Sequence, residues 1–520
     1  MQIANIDRVQ PDRLKFAWFI GVAVSLAGLF ALQILPYGDL DFPGVFMDSD
    51  EYLNMADFFS PWHALTNPRA VESLSTNQFP PLYPLVLALF GGGTQHVQAA
   101  YLIHSVICCA LLALAICWML KMRVPAGIAL LSCTLLCLTP WYFIATVRLS
   151  SEPLFICLML AAFIRAEQAV FSTKFDTLLV ALVALACLTR SAGLFLLVSL
   201  VISVWLQSKS FRLTAAHATA AFAPAGIWLA YKASFPAAHN YGELGAARLT
   251  DMNLSALQYL QSQATAMLFA VSPGSGEHLS EAILAILLLI AAARVWWLRV
   301  KDKRLDAYFL LAYFPIVLFW PFPADTDRLA TPIVIVLIGY SLMGIFESVR
   351  SRTRYAVSLL FCSLLLLVPA SSTAIRSLTP IDQELVAYKK SDFFFLAEDS
   401  EQATSAVESI YRVVSTLREL PNVVPVNECV FASQSRLSAY YANRVFVQPE
   451  YRPFKVQQSP HCRFVFYSIL ASANDKRIQE KIYQLARNGE VLLINQVNEL
   501  GVSRTIAIVT RLPGAKRENR

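Results

Sequence analysis

The sequence predicts a polytopic α-helical membrane protein of about eleven spans that ends in a small α/β domain. Of its 520 residues, 56% are hydrophobic and only 15% are charged, whereas a soluble domain carries about 25% charged residues. The apolar residues are also clustered, because runs such as "IALLSCTLLCL" and "EAILAILLLIAAA" leave no room for a polar face. After about residue 372 the pattern changes, and short strand and helix signals alternate.

The apolar segments have the length of roughly 17–25 residues that a membrane helix needs. They lie near 15–35, 98–120, 124–143, 150–170, 175–190, 193–207, 213–233, 279–299, 305–322, 331–347 and 353–371. The first follows Arg8, Arg13 and Lys15. It is too long for the core of a signal peptide and lacks a small-x-small cleavage site, so we interpret it as an uncleaved first span.

Positive charge predicts the orientation, because cytoplasmic loops collect lysine and arginine. With the N-terminus inside, the loops predicted to be cytoplasmic contain Lys121, Arg123, Arg165, Lys174, Lys209, Arg212, Arg299, Lys301, Lys303, Arg304, Arg350, Arg352 and Arg354. The opposite loops, of which 36–97 and 234–278 are long, are poorer in such residues. We therefore expect a membrane domain over 1–372 and an extracytoplasmic domain over 373–520.

Local patterns define the shorter elements. "NQFPPLYPLVLALFGGG" is too short to span and begins with two prolines, which favours a re-entrant or interfacial element or a short helix at the membrane surface. In the C-terminal domain, "SAVESIYRVVSTLREL" and "NDKRIQEKIYQLARNG" predict helices. The strand candidates are "CVFAS", "RVFVQP", "CRFVFYS", "EVLLINQ" and "RTIAIVT".

The cysteines divide into two groups. Eight of the ten lie in apolar runs, where they pack as small apolar residues. Cys429 and Cys462 lie in the C-terminal domain, and a disulfide between them is predicted because that domain is placed in an oxidising compartment. The alternative is two buried thiols in neighbouring strands. There is no CxxC and the seven histidines are scattered, so the sequence predicts no zinc site.

Four charged clusters fall at the predicted outer face of the membrane. They are the acids at 48–51, Arg148 with Glu152, Arg190, and the group at 325–328. Charge at membrane depth is costly and tends to be kept for function. A carboxylate can take a proton from an attacking hydroxyl, and an arginine fork binds two phosphate oxygens at once. The combination favours a reaction on a phosphorylated lipid.

Each cluster also has a structural explanation. Asp48 and Glu51 have the spacing of a helix capping box. Glu152 precedes a proline at a helix start, where negative charge suits the helix dipole. Arg190 and Arg328 could extend to lipid head groups. The coincidence of all four clusters at one face favours function.

Several of these motifs together resemble the GT-C superfamily, the membrane glycosyltransferases that use polyprenyl-phosphate sugars. "DSDEYLNMA" resembles the Asp-x-x-x-Tyr opening of their first outer loop, with Asp48 and Tyr52 at the matching positions. "PPLYPLVLALFG" resembles the end of that loop in lipid A aminoarabinose transferases and protein O-mannosyltransferase-like proteins. "SSEPLF" with Glu152, "TRSAGL" with Arg190 and "DRLATP" with Arg328 resemble further recurring elements.

The sequence departs from the family at three places. Leu329 follows the arginine where tyrosine is usual, Ser191 replaces a common proline, and Phe79 stands where some members have a lysine. The missing lysine argues against aminoarabinose transfer and leaves the mode of phosphate binding open.

The resemblance implies a GT-C-like fold and an inverting glycosyltransferase in a bacterial inner membrane. A sugar would pass on the outer face from undecaprenyl phosphate, or a similar carrier, to lipid A, another glycan, a lipid or a protein of the envelope. Asp48 would act as general base, and Arg328 with Arg190 would bind the phosphate. Glu152 is the second catalytic candidate, and Glu152 and Asp50 would orient the acceptor or bind a divalent cation. The substrate-binding candidates are Asp50, Tyr52, Arg148, Arg190 and Arg328.

No other cofactor is implied, since no glycine-rich phosphate loop is present. A nucleic-acid partner is not expected. Two other classes stay open: a lipid or solute transporter, and an inactive family member that serves as an assembly subunit. A transporter would often show internal repeats and broken helices at mid-depth, and neither is clear in the sequence.

Overall fold

A computed structural model gives the fold of the protein. It describes residues 43–44, 47–62, 65, 70, 79–137, 140–168, 174–234, 261, 279–318, 326–348, 353–362, 380–390, 394, 400–425, 428, 430–432, 435–442, 446–447, 463–469, 476–499 and 502–512. At some helix positions, Arg328 among them, only the backbone is described. The predicted first span, most of the second long loop, and both Cys429 and Cys462 lie outside the described residues.

The membrane domain is helical throughout its described part. Its helices are α1 (Met47–Phe59), α2 (Leu82–Leu89), α3 (Val97–Lys121), α4 (Ala126–Cys137), α5 (Pro140–Val147), α6 (Glu152–Ala166), α7 (Thr177–Thr189), α8 (Gly193–Ser208), α9 (Phe211–Ala233), α10 (Leu279–Lys301), α11 (Leu305–Leu318), α12 (Thr326–Ser348) and α13 (Arg354–Cys362).

Among the described residues, three segments are long and apolar enough to cross a membrane: Val97–Lys121, Phe211–Ala233 and Leu329–Glu347. Shorter apolar helices accompany them, so the number of eleven spans remains a prediction. The short helix predicted after the two prolines is present as α2. The span predicted over 124–143 consists instead of α4 and α5. The second helix begins at Pro140, because proline fits the first position of a helix but interrupts a helix interior.

The core of the membrane domain packs aromatic rings against small residues. Trp118 of α3 is fully buried, and its ring lies 6.2 Å from Phe163 of α6 and 6.0 Å from Tyr340 of α12, measured between centroids. Gly339 faces the same indole ring, and a Cβ at that position would overlap it. Small residues let membrane helices approach closely, so this contact brings α3, α6 and α12 together.

The C-terminal domain is a five-stranded mixed sheet with helices. Its elements are a 3-10 helix (Gln383–Lys389), α14 (Ser400–Val423), β1 (Val430–Ala432), α15 (Ser435–Ala442), β2 (Phe446–Val447), β3 (Phe464–Ser468), α16 (Lys476–Arg487), β4 (Glu490–Glu499) and β5 (Val502–Arg511). The strand order is β2-β1-β3-β5-β4. The first three strands are parallel, and β5 is antiparallel to both of its neighbours. Each predicted strand and both predicted helices are confirmed.

The two faces of this sheet bury different helices. Phe464 and Phe466 of β3 lie in the apolar cluster that contains α14, whereas Val465 between them lies in the cluster with Ile482 and Ala486 of α16. Successive side chains of a strand point to opposite faces, so α14 and α16 cover opposite sides. α14 has a wide apolar stripe at helical spacing, which explains its length.

The C-terminal domain rests on the membrane domain at the end of α5. Val147, the last residue of α5, belongs to the apolar cluster formed by Tyr388, Phe394 and α14. In return, Tyr440 of α15 packs against the core of the membrane domain. This contact places the C-terminal domain beside residues 148–152 and the start of α1.

Candidate functional site

The acidic stretch forms the first turns of α1. The helix begins at Met47, so Asp48 and Asp50 lie in its first turn and Glu51 follows. Asp48 is half-buried, whereas Asp50 and Glu51 are 3% and 6% exposed. Asp48 therefore lies inside the helix rather than at the N-cap position that a capping box requires. Its charge is still favourable there, because the N-terminal end of a helix attracts anions.

One face of α1 is bonded to the segment before α6. The Ser49 hydroxyl donates to the Leu149 carbonyl at 3.2 Å, and the hydroxyls of Tyr52 and Ser151 are 2.8 Å apart. Ser49 and Tyr52 are three residues apart and so share a helix face. These bonds bring the Asp48 and Glu152 regions together, although about a hundred residues separate them in the sequence.

Glu152 and Arg190 form an ion pair at this position. Glu152 opens α6 and Arg190 follows the last residue of α7 in an extended conformation. Their side chains are 7% and 15% exposed, and the guanidinium lies against the carboxylate. Arg190 is therefore directed into the protein rather than extended to lipid head groups. A buried ion pair is weak evidence for stability, because removing both charges from water is costly. The Glu152–Arg190 pair is therefore a candidate for a functional role.

The remaining predicted site residues are placed less completely. Arg148 is half-buried directly after α5. The backbone of Arg328 lies in the first turn of α12, but its side chain is outside the described part of the chain. Its contact with a phosphate stays a prediction, and so does the Cys429–Cys462 disulfide. Tyr52 is 1% exposed, and its observed contacts support α1. A direct contact between Tyr52 and substrate stays a prediction.

A layer of aromatic and polar residues beneath α1 was not predicted. The Tyr52 ring lies 4.9 Å from both Phe79 and Tyr83. The Tyr83 hydroxyl is 2.8 Å from Nδ1 of His104, whose Nε2 is 2.9 Å from the Ala145 carbonyl. Because a carbonyl only accepts, Nε2 carries the proton and Nδ1 accepts from Tyr83. The only sequence signals were a tyrosine between prolines and a lone histidine in an apolar run.

This layer gives Phe79 a structural role. The ring that stands where some GT-C members have a lysine packs against Tyr52, which lies four residues after Asp48 on α1. Phe79 thus supports the helix through an apolar contact and supplies no charge. A cation for a phosphate would have to come from another part of the chain.

No group of three histidine, cysteine, aspartate or glutamate side chains among the described residues is arranged to hold a metal ion. The described acids therefore do not form a metal centre by themselves, and we derive no chemical step through a divalent cation.

Solved structures share this architecture. ArnT from Cupriavidus metallidurans bound to undecaprenyl phosphate is similar at 12% identity and a TM-score of 0.50, covering 94% of this chain and 97% of that one. Its apo form gives 12% identity, a TM-score of 0.49, and coverage of 95% and 98%. An Archaeoglobus fulgidus oligosaccharyltransferase complex with Zn and sulfate is 11% identical, with a TM-score of 0.44. The match covers 94% of this chain and 73% of that one. No family model and no curated protein sequence matches the chain.

At these identities the likeness to ArnT concerns the fold. The chain shares the overall fold of the ArnT structure over 94% of its length. The GT-C-like fold predicted from the sequence motifs is confirmed.

Proposed function

We propose that this protein is a membrane glycosyltransferase that moves a sugar from a polyprenyl-phosphate carrier to an acceptor in the cell envelope. The observation that carries the proposal is the placement of α1. Within a GT-C fold, the helix that bears Asp48 is bonded to the segment that bears Glu152 and its partner Arg190. The ArnT structure with this fold was solved with undecaprenyl phosphate, which supports a lipid carrier of that chemistry.

The proposed reaction is a single displacement. The acceptor hydroxyl oxygen attacks the anomeric carbon of the sugar and gives its proton to Asp48. The bond between that carbon and the phosphate oxygen breaks, and its electron pair leaves with the polyprenyl phosphate. The configuration at the anomeric carbon inverts. Asp48 suits the role of base because it is half-buried, and the positive end of α1 favours its ionised form.

The arginines would stabilise the leaving phosphate. A guanidinium already fixed in place gains more from developing negative charge than a mobile one, because no reorganisation is needed. Glu152 holds Arg190 at the junction of α6 and α7, so we assign Glu152 the role of positioning this arginine. Arg328 would supply the second guanidinium from the start of α12. Arg148 lies four residues before Glu152, at the same end of α6.

The acceptor is proposed only by class: an envelope glycan, lipid A, another lipid or a protein. We further propose that the reaction takes place on the outer face of a bacterial inner membrane, with the C-terminal domain extracytoplasmic. The lysine and arginine distribution and the acids grouped beside the C-terminal domain support this orientation. An active reporter fused after residue 380 on the extracytoplasmic side is the expected result.

The function is tested by comparing cells with and without the protein. Mass spectrometry of lipid-linked sugars and of envelope glycans should show one polyprenyl-phosphate sugar accumulating in the cells without it. One envelope molecule should lose the mass of that sugar in the same cells. Identical profiles would contradict the proposal and favour the transporter or inactive-subunit alternatives.

A further inference from the structure

Pro43 and Gly44 precede the helix that bears Asp48, and we refer to these two residues as the turn. Pro43 and Gly44 are both buried, and Gly44 has φ +83°, a left-handed conformation that glycine adopts without a steric cost. Asp48 lies only four residues later, so the position of this turn determines where the first turn of α1 lies.

Tyrosine hydroxyls from two domains bind the carbonyls of this turn. Tyr101 of α3 has its hydroxyl 3.0 Å from the Pro43 carbonyl and 3.0 Å from the Val147 carbonyl. The Tyr441 hydroxyl, on α15 of the C-terminal domain, donates to the Gly44 carbonyl. Tyr101 therefore joins the turn to the end of α5, just before Arg148, and Tyr441 joins it to the C-terminal domain.

A buried lysine of the C-terminal domain completes the contact. Lys390 follows the 3-10 helix and is 2% exposed, and its Nζ lies 4.4 Å above the centre of the Tyr101 ring. Removing a lysine from water is costly, and a cation over an aromatic face recovers part of that cost. Tyr101 is thus held through its hydroxyl by the membrane domain and through its ring by the C-terminal domain.

Tyr441 is suited to donate a permanent hydrogen bond. Burial raises the pKa of its hydroxyl well above the ordinary range, and Tyr440 and the Asp50 carboxylate act in the same direction. The phenol keeps its proton at any working pH and so remains a donor to Gly44. The helix that carries Tyr441 also packs against α1.

We propose that the C-terminal domain is a positioning element of the site, with Tyr441 acting through Gly44 and Lys390 acting through Tyr101 to fix the start of α1. The catalytic consequence rests on the proposed glycosyl transfer, whereas the mechanical consequence does not. A displacement of about 1 Å in a reacting group can cost about 10²-fold in rate, so a modest loosening of the turn is sufficient to lower turnover.

The test is Tyr441→Phe, which removes one hydroxyl and keeps the ring. Hydrogen exchange of the amides at 47–51, measured on the full-length protein in nanodiscs, should become faster. The kcat should fall about tenfold, while KM for the lipid-linked donor should stay close to that of the wild type. Tyr411→Phe is the matched control, because Tyr411 lies in α14 of the same domain and its ring contacts Tyr388. It should change neither readout.

Lys390 gives an independent variant in case Tyr441→Phe does not fold. Lys390→Met should reproduce both effects, and Lys390→Arg should restore them because a guanidinium also binds an aromatic face. Unchanged exchange at 47–51 in the folded variants would overturn the inference, and so would faster exchange with unchanged kcat. If the wild-type protein turns over no polyprenyl-phosphate sugar, the proposed function fails, and the exchange measurement still decides whether the contact holds α1.

Discussion

The two ends of α6 carry charge in different ways. Glu152 opens this helix and Glu167 follows its last residue, so the two carboxylates are separated by roughly 22 Å of helix. At the Glu152 end lie α1 and the C-terminal domain. At the Glu167 end lies an ion network, made by Glu167, Arg299, Arg304, Asp306 and Tyr340, that joins α6, α10, α11 and α12.

In the ion network both oxygens of each carboxylate have partners. Arg299 donates to the two oxygens of Asp306 at 2.7 and 2.8 Å and also contacts Glu167. Arg304 reaches the other oxygen of Glu167 at 3.2 Å, and the Tyr340 hydroxyl donates to Asp306 at 2.7 Å. Arg299 is 8% exposed and Asp306 is 1% exposed. Arg299 and Asp306, at the centre of the network, are buried and bonded to each other, which is the pattern of a structural connection.

At the Glu152 end, Asp48 and Arg148 remain half-buried. Charged groups there come from α1, from the ends of α5, α6 and α7, and from the C-terminal domain. The comparison shows that charge near a membrane helix end does not identify function by itself. The half-burial of Asp48 and Arg148, set against the buried Arg299–Asp306 pair, supports the proposal that the Glu152 end is the reactive one.

The largest effect is expected at Asp48. Asp48 lies in the first turn of α1, where the isosteric Asn loses only a helix-dipole interaction of about 0.3–1 kcal/mol, so Asp48→Asn should fold and insert normally. Loss of a general base typically lowers the rate by about 10²–10⁴, and turnover of the lipid-linked sugar should fall by that factor. Asp50→Asn is the parallel variant and should matter less, since Asp50 is more deeply buried and points elsewhere on the helix. A normal rate for Asp48→Asn with an inactive Asp50→Asn would show that the motif was aligned to the wrong acid.

A large effect on stability, with activity retained, is expected at Asp306. Asp306→Asn leaves the buried charge of Arg299 without its main partner, and breaking a buried pair costs about 3–5 kcal/mol. The variant should lose thermal stability in detergent, while the folded fraction keeps its specific activity. Asp302→Asn, at an exposed position on the same loop, serves as control. Wild-type stability in Asp306→Asn would remove the distinction between the two ends.

An intermediate effect is expected when the guanidinium of Arg299 is replaced. Arg299→Lys keeps the charge but cannot reach Glu167 and both oxygens of Asp306 in the same way. Hydrogen bonds to charged groups contribute about 1.5–3 kcal/mol, so the thermal transition should fall by less than in Asp306→Asn. Arg294→Lys, on the exposed face of the same helix, should be neutral. A loss of turnover at unchanged stability would place Arg299 in the reactive machinery instead.

The smallest effect is expected at Tyr340. Tyr340→Phe removes the hydroxyl that donates to Asp306 and keeps the ring against Trp118. A net loss of about 1 kcal/mol in the free energy of unfolding is expected. Tyr355→Phe, at an exposed ring, is the control. Equal thermal transition temperatures for the two variants would show that the stability of the network does not depend on this hydroxyl.

Much of the fold followed from local sequence patterns. Helices α7 and α8 begin and end close to the predicted bounds, and every strand of the C-terminal sheet was predicted, because apolar period and turn residues are local signals. Pro140 was overlooked as a helix start within a continuous apolar run. The number of eleven spans stays a prediction, since three described segments have the length and apolarity of a span and shorter apolar helices accompany them.

The site was predicted only in its outline. Asp48, Glu152 and Arg190 stood out as charge in apolar surroundings, but the bonds made by Ser49, Ser151 and His104 depend on contacts across the fold. Arg299 and Arg304 were counted only as loop charges that set orientation, whereas their partners Glu167 and Asp306 make them part of the ion network. Tyr441 and Lys390 lie about 400 and 350 residues from the turn that they hold, a distance no local pattern bridges.

We propose that the Glu152 end performs glycosyl transfer and that the Glu167 end maintains the fold. This claim is tested most directly by turnover of the purified protein in nanodiscs, given a panel of undecaprenyl-phosphate sugars and an envelope extract as acceptor. Wild-type protein and the folded fraction of Asp306→Asn should release undecaprenyl phosphate in step with glycosylated acceptor, at similar rates per folded molecule, and Asp48→Asn should release almost none. Release by Asp48→Asn at the wild-type rate, or no release by wild-type protein with any donor of the panel, would contradict the claim.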